Sequence, residues 1–255
     1  MISQLIKTSQ EIEAMRRGGQ ILAWVLNKVA AEVKPGITTG YLNDLAEKLL
    51  KDKGAKPSFL HYGQESGNPY PATLCTSVDK AVVHGIPSLN EVLKEGQLVG
   101  LDIGCWYEGL CTDMAITVPV GQVSPAVEAL IKVTKESLYR GLKVIKDGAT
   151  VGDFGWAVQS YVEDKGFSVV RQMVGHGVGR AVHEDPPIPN FGRPGQGLKF
   201  KSGMTIALEP MVNSGRSDIV ILPDGWTVAT KDGSLSAHFE VTVAVTDKGC
   251  EILTK

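Results

Sequence analysis

Four carboxylates set into apolar, strand-like runs constrain this chain more than any other feature. Asp102 sits in VGLDIG (99–104), Asp113 opens DMAITV (113–118), Glu209 lies in TIALEP (205–210) and Glu240 opens EVTVAV (240–245). Any one of them alone reads as an ordinary solvated strand end. If the four runs pair in one core, four negative charges converge there. Burying an unpaired carboxylate is costly, and like charges nearby add to the cost. The adjoining sequence offers no four Arg or Lys residues to offset them. Metal ions are the economical counter-charge.

The runs also echo one another. An apolar strand followed by a carboxylate occurs at 99–104 and again at 205–210, and a carboxylate followed by a strand occurs at 113–118 and at 240–245. Helices precede or separate the strands in each half. Thr8 and Glu11 stand at a capping-box spacing ahead of Ile12, Met15, Leu22, Val25, Leu26 and Val29, which recur at helical intervals. A second helix starts near Thr38-Thr39 and closes at Gly54. Ser124-Pro125 opens a third, and a fourth runs from Val151 to Lys165 and stops at Gly166. The reading is a duplicated α/β half with pseudo-twofold symmetry. Further strands are expected at Thr73–Val78, Leu98–Ile103, Met114–Val120, Phe167–Val174, Thr205–Leu208 and Phe239–Val245, with a long loop over 60–72 rich in Gly, Pro, Asn and Tyr. There is no low-complexity stretch or evident linker, so residues 1–255 read as a single domain.

Imidazoles accompany the acids. GHGVGRAVHE (175–184) places His176 and His183 seven residues apart beside glycines that permit close approach of backbone and substrate. A phosphate cradle is excluded: the dinucleotide spacing is incomplete, and Pro186, Pro187 and Pro189 forbid the helix that would hold a phosphate. His84, in VVHGIP, follows an apolar run and falls at a turn. One imidazole with four carboxylates is a nitrogen-and-oxygen donor set suited to Mn, Fe, Co or Zn. Bridging carboxylates suit two ions about 3.5–4 Å apart.

The 26 basic and 28 acidic residues are mixed along the chain, which argues against an extended nucleic-acid or anionic-membrane surface. Cys75, Cys105, Cys111 and Cys250 form no C-x-x-C pair, and a reducing compartment is the simplest setting. Met1 to Gly19 has no apolar signal-peptide core, and no run nears the roughly 18 apolar residues that span a bilayer. A cytoplasmic location is expected.

In order, His84 (VHGIP), Asp102 (LDIG), Asp113 (TDMAIT), His176 and His183 (GHGVGRAVHE), Glu209 (LEPM) and Glu240 (SAHFEVT) resemble the type I methionine aminopeptidases of the M24 metallopeptidases over nearly the whole chain, in their short bacterial form. The resemblance implies an α+β pita-bread fold, two pseudo-symmetric α/β halves around a curved antiparallel sheet. It implies that Asp102, Asp113, His176, Glu209 and Glu240 bind two divalent metal ions, with Asp113 and Glu240 bridging, Asp102 on one ion and His176 and Glu209 on the other. A metal-activated hydroxide would attack the first peptide bond. His183 would polarise the scissile carbonyl, Glu209 would shuttle the proton, His84 would contact the amide nitrogen, and the substrate's free α-amine would bind near the second ion.

The same resemblance puts Tyr70, Cys75 and Trp226 in a methionine pocket, with Val182 standing before His183 where the bacterial pattern usually has Phe. The loop at 61–70 is longer than usual, so a second pocket tyrosine is not assigned between Tyr62 and Gly67. The implied activity is co-translational removal of N-terminal methionine from nascent proteins, preferentially before a small second residue. The implied setting is a monomer in transient contact with ribosomes and without DNA or membrane partners. Two alternatives stay open: a proline-directed relative with the same five ligands, and a non-catalytic binding protein of the same fold.

Overall fold

The computed structural model describes residues 4–255; Met1 to Ser3, the first part of the polar N-terminal stretch, lie outside the described residues. Helix α1 spans Ser9–Ala30, and its N-terminus is the expected capping box: the Glu11 amide donates to the Thr8 hydroxyl and the Thr8 amide donates to the Glu11 carboxylate. Helix α2 (Thr39–Asp52) is capped by Thr38 and helix α3 (Pro125–Leu142) by Ser124. Helix α4 (Val151–Asp164) has a second capping box, made by Thr150 and Asp153.

Among the described residues, nine strands form one antiparallel sheet. Its central order is the Asp102 strand (Leu98–Tyr107), the Asp113 strand (Leu110–Pro119), the Glu240 strand (Glu240–Val245) and the strand that precedes Glu209 (Thr205–Leu208). This order is palindromic, as the internal echo requires. The two carboxylate-opening strands meet in the middle and the two carboxylate-closing strands flank them. Beyond Thr205–Leu208 come the His176 strand (Gly175–Gly177) and then Glu184–Ile188.

Side-chain alternation assigns the two faces. Val99, Leu101, Ile103 and Cys105 point to one face, where they pack with Leu22, Val25 and Leu26 of α1 and Leu42, Ala46 and Leu50 of α2. Ile206, Leu208, Val241, Val243 and Val245 do the same against Leu130 and Leu138 of α3 and Phe154, Val158 and Val162 of α4. Each half of the sheet is thus covered by its own helix pair. The intervening positions, with the carboxylates among them, are left to the other face.

Three strands differ from the sequence reading. The Asp102 and Asp113 strands extend to Tyr107 and from Leu110, because Glu108 and Gly109, both at positive φ, close a two-residue hairpin and let pairing continue past the glycine and aromatic residues. The run Phe167–Val174 is not one strand. Ser168–Val169 pairs with Val212 and Asn213 in a small separate sheet, and the chain then crosses to the large sheet, which it joins at Gly175.

Candidate metal centre

Strand register brings the acids together before any side chain is considered. Asp102 lies opposite Ala115, and Ala115 lies opposite Glu240 on its other side. Asp113 is two residues before Ala115 and so shares its face. His176 lies opposite Ala207, Ala207 lies opposite Thr242, and Glu209 is two residues past Ala207. Five elements therefore present Asp102, Asp113, Glu240, Glu209 and His176 on one face, around two alanines small enough to leave space between them.

Threonine hydroxyls lock the centre of this array. The Asp113 amide donates to Thr242 Oγ1 at 2.9 Å and that hydroxyl donates to the Asp113 carbonyl at 2.8 Å. The His238 amide donates to Thr117 Oγ1 at 2.9 Å, and that hydroxyl donates to the His238 carbonyl at 2.8 Å. The two clamps sit two residues either side of the Ala115–Glu240 pair. They continue its register where direct backbone bonds give out.

One cavity is lined by all five expected ligands together with His84, His183, Tyr70, Cys75 and Trp226. Phe59 and Tyr62 complete the lining. Asp102, Asp113 and Glu240 are between 3 and 8% exposed. Among the described residues, no Lys or Arg lines the cavity. His176 Nε2 is 3.6 Å from Glu209 Oε1, while His176 Nδ1 bonds the Gly177 carbonyl at 2.8 Å and so directs Nε2 inward. Among the described residues, Asp102 Oδ1, Glu240 Oε1 and His238 Nε2 are buried with no hydrogen-bond partner.

These are acceptors and lone pairs held where a cation would satisfy them. Burial, then the neighbouring carboxylates, holds Asp102 and Glu240 far above the usual carboxylate range. Burial likewise raises Asp113 to about 7 and Glu209 to about 8. It pushes His176 down to about 3 and His84 to about 4, and lowers His183. Acids reluctant to ionise beside imidazoles reluctant to protonate are what a nitrogen-and-oxygen cation site looks like without its charge. The residues fit divalent metal.

The histidines come from turns. His84 follows the strand Ala81–Val83 with φ 60, an uncommon conformation for a residue with a side chain. His183 hydrogen-bonds through Nδ1 to the Tyr62 hydroxyl at 2.7 Å, and its ring lies 4.4 Å from that of His176. The following residue, Glu184, accepts from the Arg180 and Ala181 amides and pairs with the buried Lys7, which fixes the turn. The glycines around His176 serve the backbone: a Cβ at Gly175 would lie 2.5 Å from the Ala207 carbonyl oxygen, and one at Gly177 would lie 2.1 Å from that of Asp185.

On the pocket side, Tyr70 donates to the Gly85 carbonyl at 2.9 Å and meets Trp226 edge-on, with ring centroids 5.3 Å apart. Trp226 Nε1 donates to the Asn68 carbonyl at 2.9 Å. Cys75 lies opposite Asp102. Val182 is placed differently from the sequence expectation. It is buried in the apolar cluster shared with Phe59, Tyr70 and Cys75 but does not line the cavity, so it can act on a substrate only through the wall.

Sequence reading passed over Phe59 and His238 and left Tyr62 unassigned. His238 had a signal: it is two residues before Glu240, hence on the same face of an extended chain. Phe59 and Tyr62 belong to a loop with no periodicity to read.

The model of metallopeptidase family M24 matches residues 13–247. Methionine aminopeptidase of Clostridium perfringens is 47% identical over 98% of both chains. The crystal structure of methionine aminopeptidase from Thermotoga maritima superposes with a TM-score of 0.95 at 44% identity, covering 98% of each chain, and carries the pita-bread fold expected from the sequence. Prolidase from Pyrococcus furiosus shares that fold at 24% identity and a TM-score of 0.79, but this chain spans only 66% of its length. The chain belongs to metallopeptidase family M24 and, within it, to the methionine aminopeptidases.

Proposed function

We propose that this chain removes the N-terminal methionine of other polypeptides, acting on nascent chains and preferring a small second residue. One observation carries the reading: among the described residues, four carboxylates and an imidazole from separate strands share one buried cavity that has no Lys or Arg in its lining. Asp102, Asp113, His176, Glu209 and Glu240 would hold two divalent ions, drawn from Co, Mn, Fe or Zn. When bound, such ions supply Lewis acidity and a water acidic enough to be nucleophilic near neutral pH.

The chain's own residues do the rest. Glu209 takes the proton of the attacking water on its carboxylate and returns it to the departing amine. The Tyr62 hydroxyl and His183 Nδ1 are hydrogen-bonded at 2.7 Å; with the hydroxyl as donor, the imidazole would keep its proton on Nε2 and give it to the scissile carbonyl as negative charge develops there. His84 contacts the amide nitrogen. Tyr70, Cys75 and Trp226, with Phe59 and Tyr62, enclose the first side chain. A wider groove shares His84, His176, His183 and Glu209 with this cavity and continues past Gln172 to Gly175, giving the remainder of the peptide a way out. A closed end for one residue and an open end for the rest is the shape exopeptidase action needs.

The working unit is a single catalytic domain over 1–255, monomeric, cytoplasmic and in passing contact with ribosomes. No helix among the described residues is long and apolar enough to cross a membrane. The test is turnover by apo-protein with each metal added back, using Met-Gly and Xaa-Pro peptides side by side. Metal-dependent cleavage of Met-Gly is expected. Cleavage of Xaa-Pro alone would favour a proline-directed enzyme, and failure to bind any divalent metal would favour a non-catalytic binding protein.

A further inference from the structure

His238 has no part in the reading above, yet it stands directly behind the cavity lining, against Glu209 and Glu240. Its side chain is 3% exposed. Nε2 lies 3.5 Å from Glu209 Oε2 and 3.9 Å from Glu240 Oε2, and it has no hydrogen-bond partner. Glu209 is thereby flanked by two imidazoles, with Oε1 facing His176 and Oε2 facing His238. Glu209, His238 and Glu240 place their donor atoms within 4.8 Å of one another, and so, separately, do Asp113, His176 and Glu240.

We propose that His238 is a sixth protein ligand of the metal centre, giving Nε2 to the ion held by Glu209 and Glu240. The proposal rests on the metal-centre reading and deepens it. Ligand bonds of about 2.0–2.2 Å set neighbouring donors on one ion roughly 3 to 4 Å apart, and both His238 distances fall in that range. Nε2 is buried and has no hydrogen-bond partner, so a neutral ring has its lone pair free for an ion.

The backbone is prepared for the task. Thr117 holds His238 from both sides as Thr242 holds Asp113, and His238 stands two residues before Glu240 as Asp113 stands two before Ala115. A ligand position on the Asp113 strand therefore has its structural mate on the other strand, and an imidazole occupies it. The alternative, that Nε2–H merely orients Glu209, predicts a donor that any amide could replace.

A second imidazole makes the donor set richer in nitrogen and favours Co, Fe and Zn over Mn. The experiment is Co(II) and Mn(II) titration of apo-protein by calorimetry, with proton NMR of the Co(II)-loaded protein carrying ring-15N histidine. The wild type is expected to show two strongly shifted imidazole N–H signals. His238→Gln, which keeps a donor but not the imidazole, is expected to show one, and to lose about 10- to 100-fold in Co(II) affinity with a smaller loss for Mn(II). One shifted signal in the wild type overturns the proposal even if the variant fails to fold. So does His238→Gln matching wild type within twofold for Co(II). A wild type that binds no metal would instead remove the metal-centre reading beneath it.

Discussion

The ligand cradle and the substrate pocket share one cavity but are built differently. Asp102, Asp113 and Glu240 lie on paired strands of one sheet, with His176 and Glu209 on or next to neighbouring strands, and cross-strand register decides which face they share. Phe59, Tyr62 and Tyr70 lie in the connection between α2 and the Cys75–Val78 strand, and Trp226 lies in a turn before Val228–Thr230. A sheet whose pairing slips by one residue turns every side chain to the wrong face, so the cradle has little freedom to vary. A loop can change length or sequence while its ends stay pinned, as the His61–Tyr70 and Tyr70–Tyr62 backbone bonds pin this one. The chemistry should therefore fail all at once when the cradle is touched, and degrade by steps when the pocket is.

The cradle gives the largest effect. Asp113→Asn removes a charge from a clamped, buried position and should lower kcat/KM below about a thousandth of wild type, the equivalent of about 4 kcal/mol or more, with metal content falling alongside. Elemental analysis paired with Met-Gly turnover checks both. A metal-replete Asp113→Asn protein with a tenth of wild-type activity would mean that the cradle is not where the ions sit. His183→Ala comes next. It should keep its metal and lose about 10²–10³ in rate, the cost of one oxyanion donor; a loss of twofold or less would remove His183 from that role.

Metal removal tests the same comparison through stability. In the metal-free folded protein, Asp113 and Glu209 keep protons to about 7 and 8 that the unfolded chain releases near the ordinary 3.8 and 4.5. Groups raised in this way stabilise the folded state fully at low pH, and that contribution is lost as pH climbs through the raised values. Apo-protein should thus lose stability from these acids between about pH 5 and 8. Metal binding releases their protons, so its affinity rises over the same range. At a hundredfold excess over Kd, metal should add about 2.7 kcal/mol. Thermal melts with and without metal at pH 5.5 and 8 should show the larger shift at pH 8. Equal shifts would break the link between buried acids and metal.

The contrast also explains what the sequence made legible. The helix starts at Thr8 and Ser124 were readable because capping depends on residues within a few positions of one another. The cradle was readable because each carboxylate interrupts an apolar run, and period two then fixes its face. The strand expected at Phe167–Val174 was misread because nothing local reveals that a chain leaves one sheet and enters another. Phe59 was missed, and Tyr62 left open, for the same reason on a smaller scale: their position depends on where Tyr70 and Trp226 hold the loop. His238 was the one recoverable omission, since its spacing from Glu240 was already visible.

The smallest effect lies where the two regions touch, and it sharpens the comparison most. Tyr62 belongs to the loop, but its hydroxyl meets His183 Nδ1 at 2.7 Å, so a pocket residue reaches the catalytic side. Tyr62→Phe keeps the ring and its edge contact with His183 while removing only the hydroxyl. Losing one hydrogen bond of about 1 kcal/mol should lower kcat about fivefold with metal content unchanged. A ring that merely fills the pocket would instead raise KM and leave kcat alone. The double variant separates the two readings: in a His183→Ala background Tyr62→Phe should cost nothing further, because the imidazole it orients is gone. If the fivefold loss persists there, Tyr62 acts on the substrate directly, and the boundary between pocket and chemistry lies on the other side of His183.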